Sequence, residues 1–162
     1  MSPQSRKLAL AFIFVLLSMS AFAQGAPKPY GPPIGVESAK KIAAVALAEA
    51  RKNNWFMAVA VVDPSGTLVY YEKMDNTQTG SANVSIEKAR TAALFKRPSK
   101  VFQDAVSGGG PGLRVLGLRD ATPIEGGIPL MLNDQIVGAV GVSGDSSDHD
   151  GVCAQAAADA LK

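Results

Sequence analysis

Gly126 to Gly144, reading GGIPLMLNDQIVGAVGVSG, constrains this chain more than any other stretch. Ile128, Leu130 and Leu132 alternate with Pro129, Met131 and Asn133, so the first half reads as a strand with one strongly apolar face and one mixed face. Asn133-Asp134 supplies a turn, and Ile136 to Val142 returns as a second strand. Gly138 and Gly141 expose backbone that a helix, a neighbouring chain or a flat ligand can approach closely. The hairpin therefore marks a packing or binding surface.

The preceding chain supplies layers to cover it. Ala39, Ile42, Ala43, Ala46, Leu47 and Ala50 recur at helical spacing between Val36 and Lys52, with Lys40, Lys41, Glu49 and Arg51 largely opposite, and Asn53-Asn54 ends that helix. Trp55 to Val62 is an apolar run of strand length, Asp63-Pro64-Ser65-Gly66 signals a type I turn, and Thr67 to Lys73 is rich in β-formers: a first hairpin. A second helix is predicted from about Ala82 to Phe95, with Ile86, Ala89 and Ala93 on one face. Arg97-Pro98-Ser99 breaks it, and Ser99 is placed to cap a short helix through Val106. After the glycine-rich loop Ser107 to Gly112 come a helical turn over Leu113 to Leu118 and a short strand near Ala121 to Ile124. A terminal helix follows the second hairpin, with Ser147 as its expected cap and Asp150 as the capping-box partner. Two hairpins separated by helices fit an α+β sheet rather than a doubly wound one.

Composition bounds the function. Arg6-Lys7, the apolar run Leu8 to Leu17 and the small-residue box Ala21-Phe22-Ala23 have the order of a secretory signal over residues 1–23. The apolar run is shorter than the ~20 residues of a membrane span, so no stable anchor is expected after cleavage. Residues 24–35, rich in proline and glycine, read as an extended surface arm, and residues 36–162 as a single domain. The leader carries two of the 16 basic residues and none of the 14 acidic ones, so the rest of the chain is nearly neutral. That balance gives no electrostatic case for nucleic acid. The one cysteine, Cys153, forbids an intramolecular disulfide and reads best as a small buried hydrophobe.

Catalytic motifs are thin. The SGGGPG loop lacks the preceding strand and the following Lys-Ser/Thr of a phosphate cradle. Ser143 follows Gly141 as in a nucleophile elbow, but Asp145 stands where the second glycine belongs. The one histidine, His149, has Asp145, Asp148 and Asp150 nearby, and His149 with Asp148 and Asp150 is the alternative set for a metal ion. Without a persuasive acid, base and nucleophile set, the catalytic residues stay unassigned and binding ranks above catalysis.

The order of MDNTQTGSANVSIEKARTAALFKRPS from Met74 to Ser99, then GGIPLMLNDQIVGAVGVSG, then an acidic turn ending at Asp150, resembles the GlcG/HbpS family of haem-binding, haem-degrading domains. That family is also related to the C-terminal domain of PduO-type cobalamin adenosyltransferases. The match covers nearly all the chain after the leader, and KARTAALF and GGIPL…GAVGVSG are specific together. The resemblance implies a central antiparallel sheet of about five strands with helices on both faces, profilin- or roadblock-like, that assembles into homo-oligomers. It also implies haem or another tetrapyrrole as ligand. The chemistry haem needs then nominates Met74, His149, Cys153, Tyr30, Tyr70 and Tyr71 for the iron, Lys88, Arg90 and Arg97 for the propionates, and Phe95 for the slot. Met74, Lys88 and Phe95 lead because they fall in the segment that carries the resemblance. An exported, periplasmic or secreted binding protein is the expected function, with a cofactor-free assembly or sensing module and an enzyme acting on haem or a small organic acid as alternatives.

Overall fold

The computed structural model describes residues 28–161, so the leader predicted over residues 1–23 lies outside them. The elements run α1 (Val36–Lys52), β1 (Ala58–Val62), β2 (Leu68–Lys73), α2 (Ser81–Phe95), α3 (Lys100–Ser107), a 3-10 helix (Gly110–Gly117), β3 (Gly127–Leu132), β4 (Gln135–Ser143) and α4 (Ser147–Asp159). The strands form one antiparallel sheet in the order β2-β1-β4-β3. It is an α+β fold with four strands where about five were expected. The missing one is Ala121 to Ile124, whose backbone is spent on side chains instead. Thr91 Oγ1 accepts from Thr122 N at 2.8 Å, and Ser99 Oγ donates to the Ile124 carbonyl at 2.6 Å.

Strand alternation decides what each face meets. Val59, Val61, Leu130, Val140 and Val142 pack with Ile42, Ala46 and Leu47 of α1 and Cys153, Ala154 and Ala157 of α4. Val62 and Ala139 look the other way, onto Ala89, Ala92 and Ala93 of α2. Helices thus cover both faces, as the family resemblance implied. Gly141 shows why a glycine stands there: a methyl group would overlap the Ser85 carbonyl of α2, so helix and strand meet backbone to backbone. The β3–β4 turn needs no glycine, because Asn133 and Asp134 take φ of 50° and 63°, the left-handed region that short polar side chains tolerate.

The two ends of the sheet differ. At the turn end the described part of the arm is docked on the sheet: Gly31 N donates to Ile136 O at 2.9 Å, Lys28 Nζ reaches Asp134 at 2.6 Å, and the Tyr30 hydroxyl donates to Ala93 O at 2.8 Å near the end of α2. At the other end Ala58 pairs with both Lys73 and Ser143, which gathers the start of β1, the ends of β2 and β4, and the beginnings of α2 and α4. The chemistry-bearing side chains concentrate there.

Candidate functional site

Lys88 lies on the inward face of α2, in a stripe with Ser81, Ser85, Ala89 and Ala92 that all face the sheet. Its Nζ donates to Asp150 Oδ2 at 2.6 Å and to Val142 O at 3.1 Å, and both charged side chains are buried. Asp150 Oδ1 also accepts from Asp145 N at 3.3 Å, so the carboxylate ties the turn before α4 to the middle of α2. Burial pushes the Lys88 ammonium below its ordinary pKa and the Asp150 carboxyl above it, while each partner's opposite charge pulls back. Gly126, at φ 123°, makes room for the pair, since a methyl group would stand 2.6 Å from Val142 O and 3.0 Å from Lys88 Nζ.

Asp145 serves a second pair. Its Oδ1 meets His149 Nδ1 at 3.2 Å across one helical turn, and the imidazole stacks on Trp55 with ring centroids 3.9 Å apart. The Ser146 N–H, and after it His149, holds the Asp145 carboxyl below the ordinary carboxylate range. A carboxylate on Nδ1 favours the tautomer that carries the ring proton there, which leaves a lone pair on Nε2. No described residue hydrogen-bonds Nε2. Sequence reasoning found His149 but not Trp55, which precedes it by 94 residues.

Three clefts open around this end. One of about 460 Å³ runs between Gly126-Gly127-Ile128 and the α4 residues Gly151, Val152 and Gln155. A second, of about 360 Å³, is bounded by Arg51, Phe56, Lys73 and Met74. A third, of about 280 Å³, has Lys88 and Asp150 among its lining with Ser81, Ser143 and Ser147.

The leading trio from the sequence is not brought together. Met74 is half-buried at the end of β2, where its sulfur accepts from Met57 N at 3.5 Å. Lys88 is committed to Asp150, and Phe95 packs edge-on against Phe102 at 5.2 Å. Arg97 is exposed, folding back on the Phe95 carbonyl at 2.9 Å, and Arg90 Nε is held by Gly66 O at 3.0 Å. Met74 and His149 instead flank one segment: Met57 bonds Met74, Phe56 shares its cleft, and Trp55 stacks on His149.

His149, Asp148 and Asp150, the alternative set for a metal ion, are not brought together. Successive helical residues diverge by about 100°, and Asp150 turns inward to Lys88. Among the described residues no three His, Cys, Asp or Glu side chains converge on a metal position. Asp150 is likewise no capping-box partner, and Ser146 rather than Ser147 is the N-cap of α4, with no side-chain cap bond. Ser99 precedes α3 but spends its hydroxyl on Ile124 O and Gly127 N rather than on the helix. Burial pushes the Cys153 thiol up to about 12, so it stays protonated. All three tyrosines are also held above their ordinary value, Tyr30 and Tyr71 by burial and Tyr70 by its bond to Glu72.

An open antiparallel sheet between a single helix and a helix pair, with clefts gathered at one end, places the chain among small α+β domains. The family model described as haem degrading protein HbpS-like matches residues 34–159, and the chain belongs to that family. Protein GlcG of Escherichia coli strain K12 is 41% identical over 107 residues, covering 66% of this chain and 78% of GlcG. Klebsiella pneumoniae ORFY superposes with a TM-score of 0.74 at 29% identity, over 86% of this chain and all of that one. A double mutant of Streptomyces reticuli HbpS gives 0.73 at 27% identity, over 86% and 94%. No described helix is long and apolar enough to cross a membrane.

Proposed function

We propose that the protein is an exported, oligomeric haem- or tetrapyrrole-binding protein. Membership of the HbpS-like family supports the ligand class, and the pattern of residues 1–23 supports export. Exposed Leu113, Leu116 and Leu118, the second of them 64% exposed, offer apolar surface for assembly.

The observation that carries the ligand reading is His149. Its ring is gripped on Nδ1 by Asp145 and on its face by Trp55, and its other nitrogen is left as a donor to iron. Along the same segment, Phe56 is 48% exposed and supplies an apolar wall; its cleft is bordered by Arg51 and Lys73, the cations offered to propionates, and by the carboxylates Glu72 and Asp75. Met74 lies in that cleft as a thioether. Bound haem supplies redox-active iron; the chain's own part is to orient the imidazole, neutralise acidic side chains and shield one face of the ring from water.

Titrating purified protein with haemin tests this. A saturable Soret shift is expected at micromolar protein, with affinity falling about tenfold or more in His149→Ala. The absence of saturable binding would sink the proposal, and unchanged binding in His149→Ala would move the iron ligand elsewhere.

A further inference from the structure

The Lys88–Asp150 pair has no part in the haem reading, yet both residues border the cleft of about 280 Å³. We propose that this cleft is a second site, in which the Lys88 amine captures a short hydroxylated aldehyde as a reversible imine while Asp150 moves the protons.

The geometry supports a nucleophile rather than a simple strut. An ammonium has three N–H donors, and among the described residues Nζ has two acceptors, Asp150 Oδ2 and Val142 O. One donor is left for an incoming carbonyl oxygen. Gly126 abuts Nζ with backbone alone, where any other residue would crowd it. Burial favours the free amine, the form that attacks a carbonyl.

The lining selects the ligand. Gln78, Ser81, Ser143 and Ser147 offer donors and acceptors suited to hydroxyl groups, and Val84 and Ile124 flank a short carbon chain. Asp145 and Asp150 together disfavour an anion. A neutral aldehyde bearing a hydroxyl meets both conditions.

The protons balance within the pair. Lys88 passes one proton to the Asp150 carboxylate, and the freed amine attacks the carbonyl carbon as the C=O electron pair moves to oxygen. That oxygen takes the proton from Asp150, which recovers one from the nitrogen and returns it to the hydroxyl as water leaves. An iminium then faces the Asp150 carboxylate where an ammonium did, with one water released.

Incubating the full chain with glycolaldehyde and cyanoborohydride, which reduces the imine to a stable secondary amine, and mapping the peptides by mass tests this directly. Lys88 is expected to be alkylated at least tenfold faster than the exposed Lys40 and Lys100, and faster with glycolaldehyde than with acetaldehyde. Asp150→Asn is expected to slow labelling about tenfold while circular dichroism reports a folded chain. Labelling of Lys88 no faster than of the surface lysines would overturn the site, and equal rates for the two aldehydes would overturn the ligand class. Because the lysines compete within one wild-type sample, the test survives if a variant fails to fold. Its outcome is independent of the haemin titration.

Discussion

Asp145 and Asp150 leave the same acidic turn and end in opposite environments. Asp150 is buried against Lys88, with side-chain exposures of 3% and 1%, whereas Asp145 and His149 stand 42% and 37% exposed. In the buried pair the loss of hydration rivals the attraction, so the pair contributes little compared with an apolar replacement but a great deal compared with a half-broken one. In the exposed pair water screens the Asp145 carboxylate, and the contact aims a ring more than it stabilises a fold. One turn thus provides a strut that is costly to break from one side and an orienting contact that is cheap to lose.

Breaking the strut gives the largest expected effect. Asp150→Ala leaves Lys88 without its counter-charge in the interior and is expected to cost about 3–5 kcal/mol in urea denaturation. Lys88→Met combined with Asp150→Leu is expected to recover most of that loss. If the double variant is as unstable as the single one, the damage comes from packing rather than from the stranded charge.

Gly126→Ala ranks next, at about 1–3 kcal/mol. It combines a left-handed φ with a methyl group pressed on Val142 O and Lys88 Nζ, and thermal melting would report it. An unchanged melting temperature would mean that the backbone yields and the pair has slack.

Asp145→Asn is the smallest, at no more than about 1 kcal/mol near neutral pH. Because the folded carboxyl is held below its ordinary value, its contribution is present above the unfolded value of about 3.9 and fades as pH falls through the folded one. Wild type and variant are therefore expected to converge in acid. A gap that widens on acidification would contradict the pairing, while a loss of haemin affinity in this variant with little loss of stability would sharpen the contrast between the two carboxylates.

Much of the scaffold was legible because its signals are local. The period of Ala39 to Ala50 predicts the helix that the structure has from Val36 to Lys52, and Asn133-Asp134 turns where its chemistry says it must. The site was legible only in pieces. Lys88 reads beside Arg90 as a cation for a ligand's carboxylates, although its spacing from Ser85 and Ala92 in a stripe of small residues was a sign that it faces inward. Its partner lies 62 residues away, beyond any periodicity. Asp150 looked like a helix cap because a cap and a buried counterion use the same residue type near a helix start.

By itself the sequence determined the main helices, the two hairpins and the glycine-marked contact of β4, since those follow from turn chemistry and alternation within a few residues, but not the absence of a strand at Ala121 to Ile124. Only the tertiary structure decided that α2 would carry Lys88 down to Asp150, that Trp55 would pin His149, and that Met74 would part from Phe95. The reason is desolvation and reach: whether a charge is a solvated side chain, a strut or a nucleophile depends on what distant chain closes over it, and no local pattern records that.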